Sequence, residues 1–324
     1  MALLGSSFTR WRAEALGLDC RRAFARLCDL RFDLIRLSCS WREIHDVGWT
    51  HLDWLMAHAE AAHQPVMLTV GMKALGWPEF YLPGQLDPSD NAVPDKALAH
   101  ITATVDRYGG YRMLRHWQVE NEPFNRSGPQ ARCIPRVVVR REVAAIRAQD
   151  PSRALALTCF GHFNRDVDRA SRRLQPKWRE ALGLELSAER EALSVLRPGE
   201  ILGLDLYRAI GWIDPAGEER VSYADDDQVA YLRRWQRIAT DQRKRLWITE
   251  AQAEPWEARW QNRGNPRTLA PDDLLRLMRD VAQIEAVLLW GSEYWLWRAE
   301  QGDSRWIDAV RSFRNGLVPA ASPV

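Results

Sequence analysis

Two glutamates sit where apolar runs break off into polar residues: Glu122 in RHWQVENEPF and Glu250 in RLWITEAQAEP. Each keeps company suited to carboxylate chemistry. Asn121, beside Glu122, is a neutral donor able to hold a sugar hydroxyl. Arg36 lies inside the apolar run LIRLS, a costly place for a guanidinium unless a carboxylate or a polar cleft receives it. A guanidinium bonded to Glu250 would keep that carboxylate ionised, leaving Glu122 as the member with raised pKa. Such a pair matches the needs of glycoside hydrolysis, in which one carboxyl protonates the leaving oxygen and the other attacks or activates water at the anomeric carbon. Carboxyls about 5 Å apart imply retention through a covalent intermediate, whereas roughly 6.5 Å or more leaves room for an inverting water. A lone glutamate at a strand end is most often a solvated loop residue or a helix cap, so the weight rests on the partners.

The elements that must position these residues follow from hydrophobic period. Eight short apolar runs, at 3–8, 33–39, 65–71, 115–121, 154–160, 201–207, 246–250 and 286–291, alternate with amphipathic stretches of helical period. Helices are expected at 20–30, 52–63, 95–107, 137–149, 226–243, 271–283 and 304–315. Segment 161–198 reads as a broken helix plus a charged excursion. Eight strands, each leading toward a helix, predict an α/β fold of the (β/α)8 TIM barrel type. It is a single domain over 1–316 with a tail at 317–324. A doubly wound sheet would alternate likewise, but no strand leads into a Gly-rich phosphate turn. In such a barrel chemistry gathers at the C-terminal ends of the strands. There the chain places Arg36, Ser38, Lys73, Asn121, Glu122, Asp205, Tyr207, Glu250, Glu293 and Tyr294.

Composition narrows the classes. Lys+Arg 45 against Asp+Glu 43 leaves a net charge of +2, which gives no electrostatic case for nucleic acid or an anionic membrane. No run is long enough to span a bilayer, and MALLGSSFTRW lacks a basic region followed by a long apolar one. The chain as given is therefore expected to be cytoplasmic, or exported if a leader has been removed, and to act as a monomer. Its five cysteines are scattered without histidine companions, and His45, His51, His58 and His63 form no ligand cluster, so neither a metal nor a cofactor is expected. Sixteen tryptophans are a surplus that packing and a sugar-stacking cleft can both absorb.

The segments WQVENEP, WITEAQAEPW and LIRLSCSW resemble clan A of the glycoside hydrolases, the retaining barrel enzymes. The segments FTRWRAEALGLD, VGMKALGWPEFYLP, GLDLYR and LLWGSEYWLWR resemble bacterial cellulase-like members of that group. The resemblance covers nearly the whole chain and implies Glu122 as general acid/base and Glu250 as nucleophile. It also implies Asn121 on the substrate hydroxyl, Arg36 bracing the nucleophile, Tyr207 in or near the cleft, and Trp290 as an aromatic floor. Trp41, Trp77 and Trp295 are further aromatic candidates. Lys73, Trp77 and Glu79 in GMKALGWPEF serve either as a loop anchor or on the substrate, and Glu293 joins the substrate set from its strand-end position. Glu254 rivals Glu250 as nucleophile but lies in the loop before Pro255 rather than ending the run LWIT. The expected activity is a retaining β-glycoside hydrolase, cellulase-like, acting on an oligosaccharide, polysaccharide or β-glycoside. The alternative is an inactive carbohydrate-binding barrel, against which the intact carboxylate pair and Arg36 argue.

Overall fold

The computed structural model describes residues 3–76, 80–84, 86–87, 89–126, 132–164 and 187–317. Among the described residues there are ten strands: β1 (Leu3–Ser7), β2 (Leu34–Ser38), β3 (Val66–Val70), β4 (Leu114–Val119), β5 (Leu155–Phe160), β6 (Ile201–Leu206), β7 (Ala209–Ile213), β8 (Glu219–Tyr223), β9 (Arg245–Gln252) and β10 (Ala286–Trp290). Eight of them close into a barrel in the order β1-β10-β9-β6-β5-β4-β3-β2, and β7 and β8 form a separate antiparallel pair. All eight expected runs are barrel strands. Their near-continuous apolar character arises because a parallel sheet is covered on both faces.

Strand alternation builds the interior in layers. Leu34, Met67, Ala156, Ile201, Trp247 and Leu288 form an apolar cluster of their own, separate from the larger core between strands and helices. Two residues further along the same strands, on the same face, come Arg36, Thr69, Thr158, Gly203 and Thr249, with Trp290 on β10. The period of two thus sets a polar layer directly above an apolar plug. Gly203 is required there, because a Cβ would stand 2.5 Å from the Thr249 hydroxyl.

The helices outside the barrel bury one stripe each. Helix Cys20–Asp29 turns Ala23, Phe24, Leu27 and Cys28 inward, and the Asp19 side chain caps it by accepting from Arg22 N. The expected helix at 304–315 is Arg305–Leu317, but a further helix, Ser292–Glu300, precedes it. Its sequence, SEYWLWRAE, is aromatic enough to mask a helical stripe. Gly291, at φ +130 with a Cβ position 2.6 Å from Glu254 Cβ, makes the turn out of β10 that few other residues allow. The β7–β8 hairpin is likewise not resolved by period, while the helix Ala188–Val195 falls in the 161–198 segment where a broken helix is expected. Most of the 161–198 segment, and the 318–324 tail, lie outside the described residues. No helix among the described residues is long and apolar enough to cross a membrane.

Candidate active site

The stretch after β4 leaves regular geometry at once. Glu120 and Glu122 both adopt left-handed backbone, φ +59 and +46, on either side of Asn121. Non-glycine residues resist that region, so surrounding contacts must hold them. Glu120 N donates to Val70 O at 2.7 Å, Asn121 N to Lys73 O at 3.0 Å, and Glu122 N to the Thr158 hydroxyl at 2.9 Å. The buried Lys73 ammonium donates to Glu122 O at 2.7 Å and to Asn125 O at 3.3 Å. Lys73 therefore anchors the backbone that carries Glu122.

Behind this segment lies an acidic pair that the sequence reading passed over. The buried Glu120 carboxylate accepts from Met72 N at 2.8 Å and Lys73 N at 2.5 Å. Gly71 makes room for it, since a Cβ there would stand 2.3 Å from the Glu120 carboxyl carbon. Glu142, from helix Arg136–Gln149, is buried against it. Burial raises both groups, Glu120 to about 7 and Glu142 well above the ordinary range, where the charge of Glu120 adds to the effect. One proton between them removes the repulsion.

Arg36 is fully buried and organises the mouth. Its Nε donates to Gln118 Oε1 at 2.6 Å, Nη1 to Glu250 Oε1 at 2.8 Å and Thr249 O at 3.1 Å, and Nη2 to Asn121 Oδ1 at 2.6 Å. Because a guanidinium only donates, the Asn121 atom facing it must be the oxygen, which leaves the amide nitrogen as a free donor. The other Glu250 oxygen accepts from the Tyr207 hydroxyl at 2.7 Å. Exchanging Arg36 for Met leaves Glu250 buried without its counter-charge. The expected destabilisation is about 3–5 kcal/mol, read as a lower denaturation midpoint in urea; an unchanged midpoint would contradict the ion pair's role.

β9 reaches the mouth with a fault in its register. Leu204 pairs with Ile248 but Asp205 pairs with Glu250, so Thr249 is an extra residue. Such a bulge re-aims side chains. Here it brings two consecutive residues inward: Thr249 donates to Asp205 Oδ1 at 2.9 Å while Glu250 meets Arg36. As a result carboxylate oxygens of Glu122, Asp205 and Glu250 all lie within 4.8 Å of one another. Among the described residues this is the one acidic, thiol or imidazole group of three close enough to share a metal ion. Arg36 and Tyr207 already occupy both Glu250 oxygens, and the guanidinium opposes a cation. Burial, and then the charge of Glu250, pushes the Asp205 carboxyl up to about 8.

The remaining candidates divide. Trp290 ends β10 with its indole N–H buried and unpaired, and Arg12 lies over the ring at 4.9 Å. Glu293 is a correction: its Oε1 accepts from Thr9 N at 2.5 Å and the Thr9 hydroxyl at 3.1 Å, and its Oε2 faces Arg12, so the carboxylate braces the first loop instead of meeting a substrate. Trp295 is another, fully buried with its N–H on Ala253 O at 2.6 Å and its ring on Phe32. Trp41 is a third: it stacks on His100 at 5.5 Å, under the helix Val93–Tyr108. Tryptophan's large apolar area suits such packing positions as well as a cleft. Glu254 is ion-paired with Arg12 and stands apart from the trio. Trp77 and Glu79 lie outside the described residues. Sequence reasoning missed Trp256, a half-buried ring meeting Tyr207 edge-on at 4.8 Å; its place in EAQAEPW, just past Glu250, was the available signal.

No protein-family model and no curated protein matches the sequence. Solved structures do resemble it. The β-glycosidase BGL167 aligns over 100% of this chain and 98% of its own at 13% identity, TM-score 0.60. Xylanase 10B from Thermotoga maritima aligns over 98% and 94% at 14% identity, TM-score 0.57. The GH1 β-glucosidase from Exiguobacterium antarcticum B7 aligns over 93% and 97% at 12% identity, TM-score 0.54. The chain is a (β/α)8 barrel. These identities speak to fold alone, and the barrel resembled is one that glycosidases use, in keeping with the likeness seen in the sequence motifs.

Proposed function

We propose that the protein is a retaining β-glycoside hydrolase working by double displacement, with Glu250 as nucleophile and Glu122 as acid/base. The observation that carries this reading is the approach of Glu122 and Glu250 oxygens to within 4.8 Å, close to the roughly 5–5.5 Å separation of retaining enzymes and short of the roughly 6.5–9.5 Å that inverting enzymes use. The two carboxylates are also unequally equipped. Arg36 and Tyr207 both donate to Glu250, one to each oxygen, which orients it for attack on an anomeric carbon. In the first step a Glu250 oxygen bonds to that carbon while the glycosidic bond breaks and Glu122 protonates the departing oxygen. In the second, water attacks the same carbon, Glu122 takes its proton, and Glu250 leaves. The Asn121 amide would donate to a substrate hydroxyl, and Trp290 would serve as the aromatic floor. Nothing in these steps calls for a cofactor.

The substrate class is an oligosaccharide, polysaccharide or small β-glycoside. A panel of aryl β-glycosides followed by proton NMR tests the proposal: hydrolysis is expected to release the β-anomer first, before mutarotation. First appearance of the α-anomer would assign an inverting reaction, and no cleavage of any member would remove the hydrolase reading.

A further inference from the structure

Asp205 has no part in the two-carboxylate scheme, yet it sits inside it. Its Oδ1 accepts from Thr249, while Oδ2 is buried and meets no hydroxyl, amide or guanidinium donor. The Glu122 carboxyl lies beside it, with oxygens of Glu122, Asp205 and Glu250 all within 4.8 Å of one another and those of Glu250 already held by Arg36 and Tyr207. Two carboxylates cannot bond to each other without a proton between them. The position is built for this purpose in three ways. The bulge at Thr249 supplies one oxygen's donor, Gly203 clears space for that hydroxyl, and the β6–β9 register sets Asp205 beside Glu250.

We propose that Asp205 is the positioning residue of the acid: it and Glu122 share one proton across the mouth, keeping Glu122 a proton donor at neutral pH. This rests on the hydrolase reading for its catalytic meaning. The charged and titratable groups facing Asp205 are Glu250 from β9, Glu122 after β4, Arg36 from β2, the Cys159 thiol from β5 and the Tyr207 phenol two residues on. Arg36 and the Lys73 ammonium, which sits on Glu122 O at 2.7 Å, are the cations close by, and Glu250 takes much of the charge of Arg36. Three carboxylates against the Arg36 guanidinium and the Lys73 ammonium leave an excess of one negative charge that a single proton corrects, consistent with the pKa of Asp205 being raised by burial and by Glu250.

The proton balance follows. When the Glu250 oxygen bonds to the anomeric carbon, the shared proton leaves with the departing oxygen and the Glu122–Asp205 pair becomes doubly ionised. That state is tolerable because Glu250, now an ester, has lost its charge. The same pair then draws the proton from the attacking water, and the ester bond breaks to restore a charged Glu250. Asp205 thereby adjusts Glu122 in both steps without touching the sugar.

The sign of the test is defined. In Asp205→Asn the amide still accepts from Thr249, but its NH2 donates to Glu122 and the neighbouring negative charge is gone. Both changes favour ionised Glu122, so the alkaline limb of kcat/KM for a poor leaving group is expected to move to lower pH by roughly one unit or more. A merely structural residue would lower the rate at every pH and leave the limb in place. Infrared difference spectra of the resting protein give a second readout that needs no substrate. Wild type minus Asp205→Asn, and wild type minus Glu122→Gln, are each expected to show loss of one protonated-carboxyl band at neutral pH. Subtraction cancels the Glu120–Glu142 pair. Loss of the band in both variants with a shifted limb supports the proposal. A band unaffected by either variant overturns the shared proton even in a protein that never hydrolyses a glycoside. An unmoved limb in an active enzyme overturns the role of Asp205 while leaving the hydrolase reading intact.

Discussion

Glu250→Ala is expected to reduce turnover of an activated aryl β-glycoside roughly ten-thousand-fold or more, equivalent to about 5 kcal/mol of transition-state stabilisation. The size of the loss follows from what remains. Arg36 and Tyr207 stay in place, aimed at a space without a nucleophile. Added azide, a small anion, is drawn to those two donors and attacks the anomeric carbon from the side Glu250 occupied. The product is the α-glycosyl azide, formed with a single inversion, while water alone stays slow. NMR of the product reads this directly. Full activity in the variant, or a β-azide, would remove Glu250 from the nucleophile's place. The fold is expected to survive because the guanidinium keeps three neutral acceptors: Gln118, Asn121 and the Thr249 carbonyl. Asp205 is also relieved of a charge that raises its pKa.

Arg36 shows how much of this was legible in the chain. A guanidinium within LIRLS is paradoxical for a strand and calls for a carboxylate to receive it. That requirement, joined to strand ends at Glu122 and Glu250, was enough to anticipate the ion pair, and the eight alternating apolar runs were enough to anticipate the barrel around it. The layered interior was equally implicit, because alternation alone sets Arg36 above Leu34 and Thr249 above Trp247. What escaped was whatever depends on a departure from regular period. Asp205 was visible as a strand-end residue. Its closeness to Glu122 and Glu250, however, depends on the bulge at Thr249, and one extra residue in a ladder leaves no mark in hydrophobic pattern. The Glu120–Glu142 contact joins a strand end to a helix face, and two buried glutamates look in sequence like two solvated ones. Tryptophans misled for a different reason. Trp41 and Trp295 carry the same apolar area that a sugar platform needs, and only their surroundings, His100 and Phe32, assign them to packing.

Glu122→Ala separates the acid from every other carboxylate in the mouth. Alanine bears the same left-handed backbone penalty as glutamate at this position, so the change removes the carboxyl without new freedom for the turn. A leaving group that departs as a stable anion needs no proton, and its kcat/KM, which reports the first step, is expected to change little. A poorly stabilised alkoxide needs protonation as the bond breaks, and its kcat/KM is expected to fall about 10²- to 10⁴-fold. Plotted against leaving-group pKa, the variant's rates should therefore fall far more steeply than those of the wild type. The second step loses its base for every substrate alike, so kcat for activated glycosides drops while KM drops with it. Azide, which needs no base, restores kcat and yields the β-glycosyl azide, the opposite anomer to that from Glu250→Ala. Two variants within 4.8 Å of each other giving opposite azides is an outcome that general damage to the site cannot imitate. An equal fall across the leaving-group series would take the acid role from Glu122, and a steep series appearing in Asp205→Ala instead would assign it to Asp205.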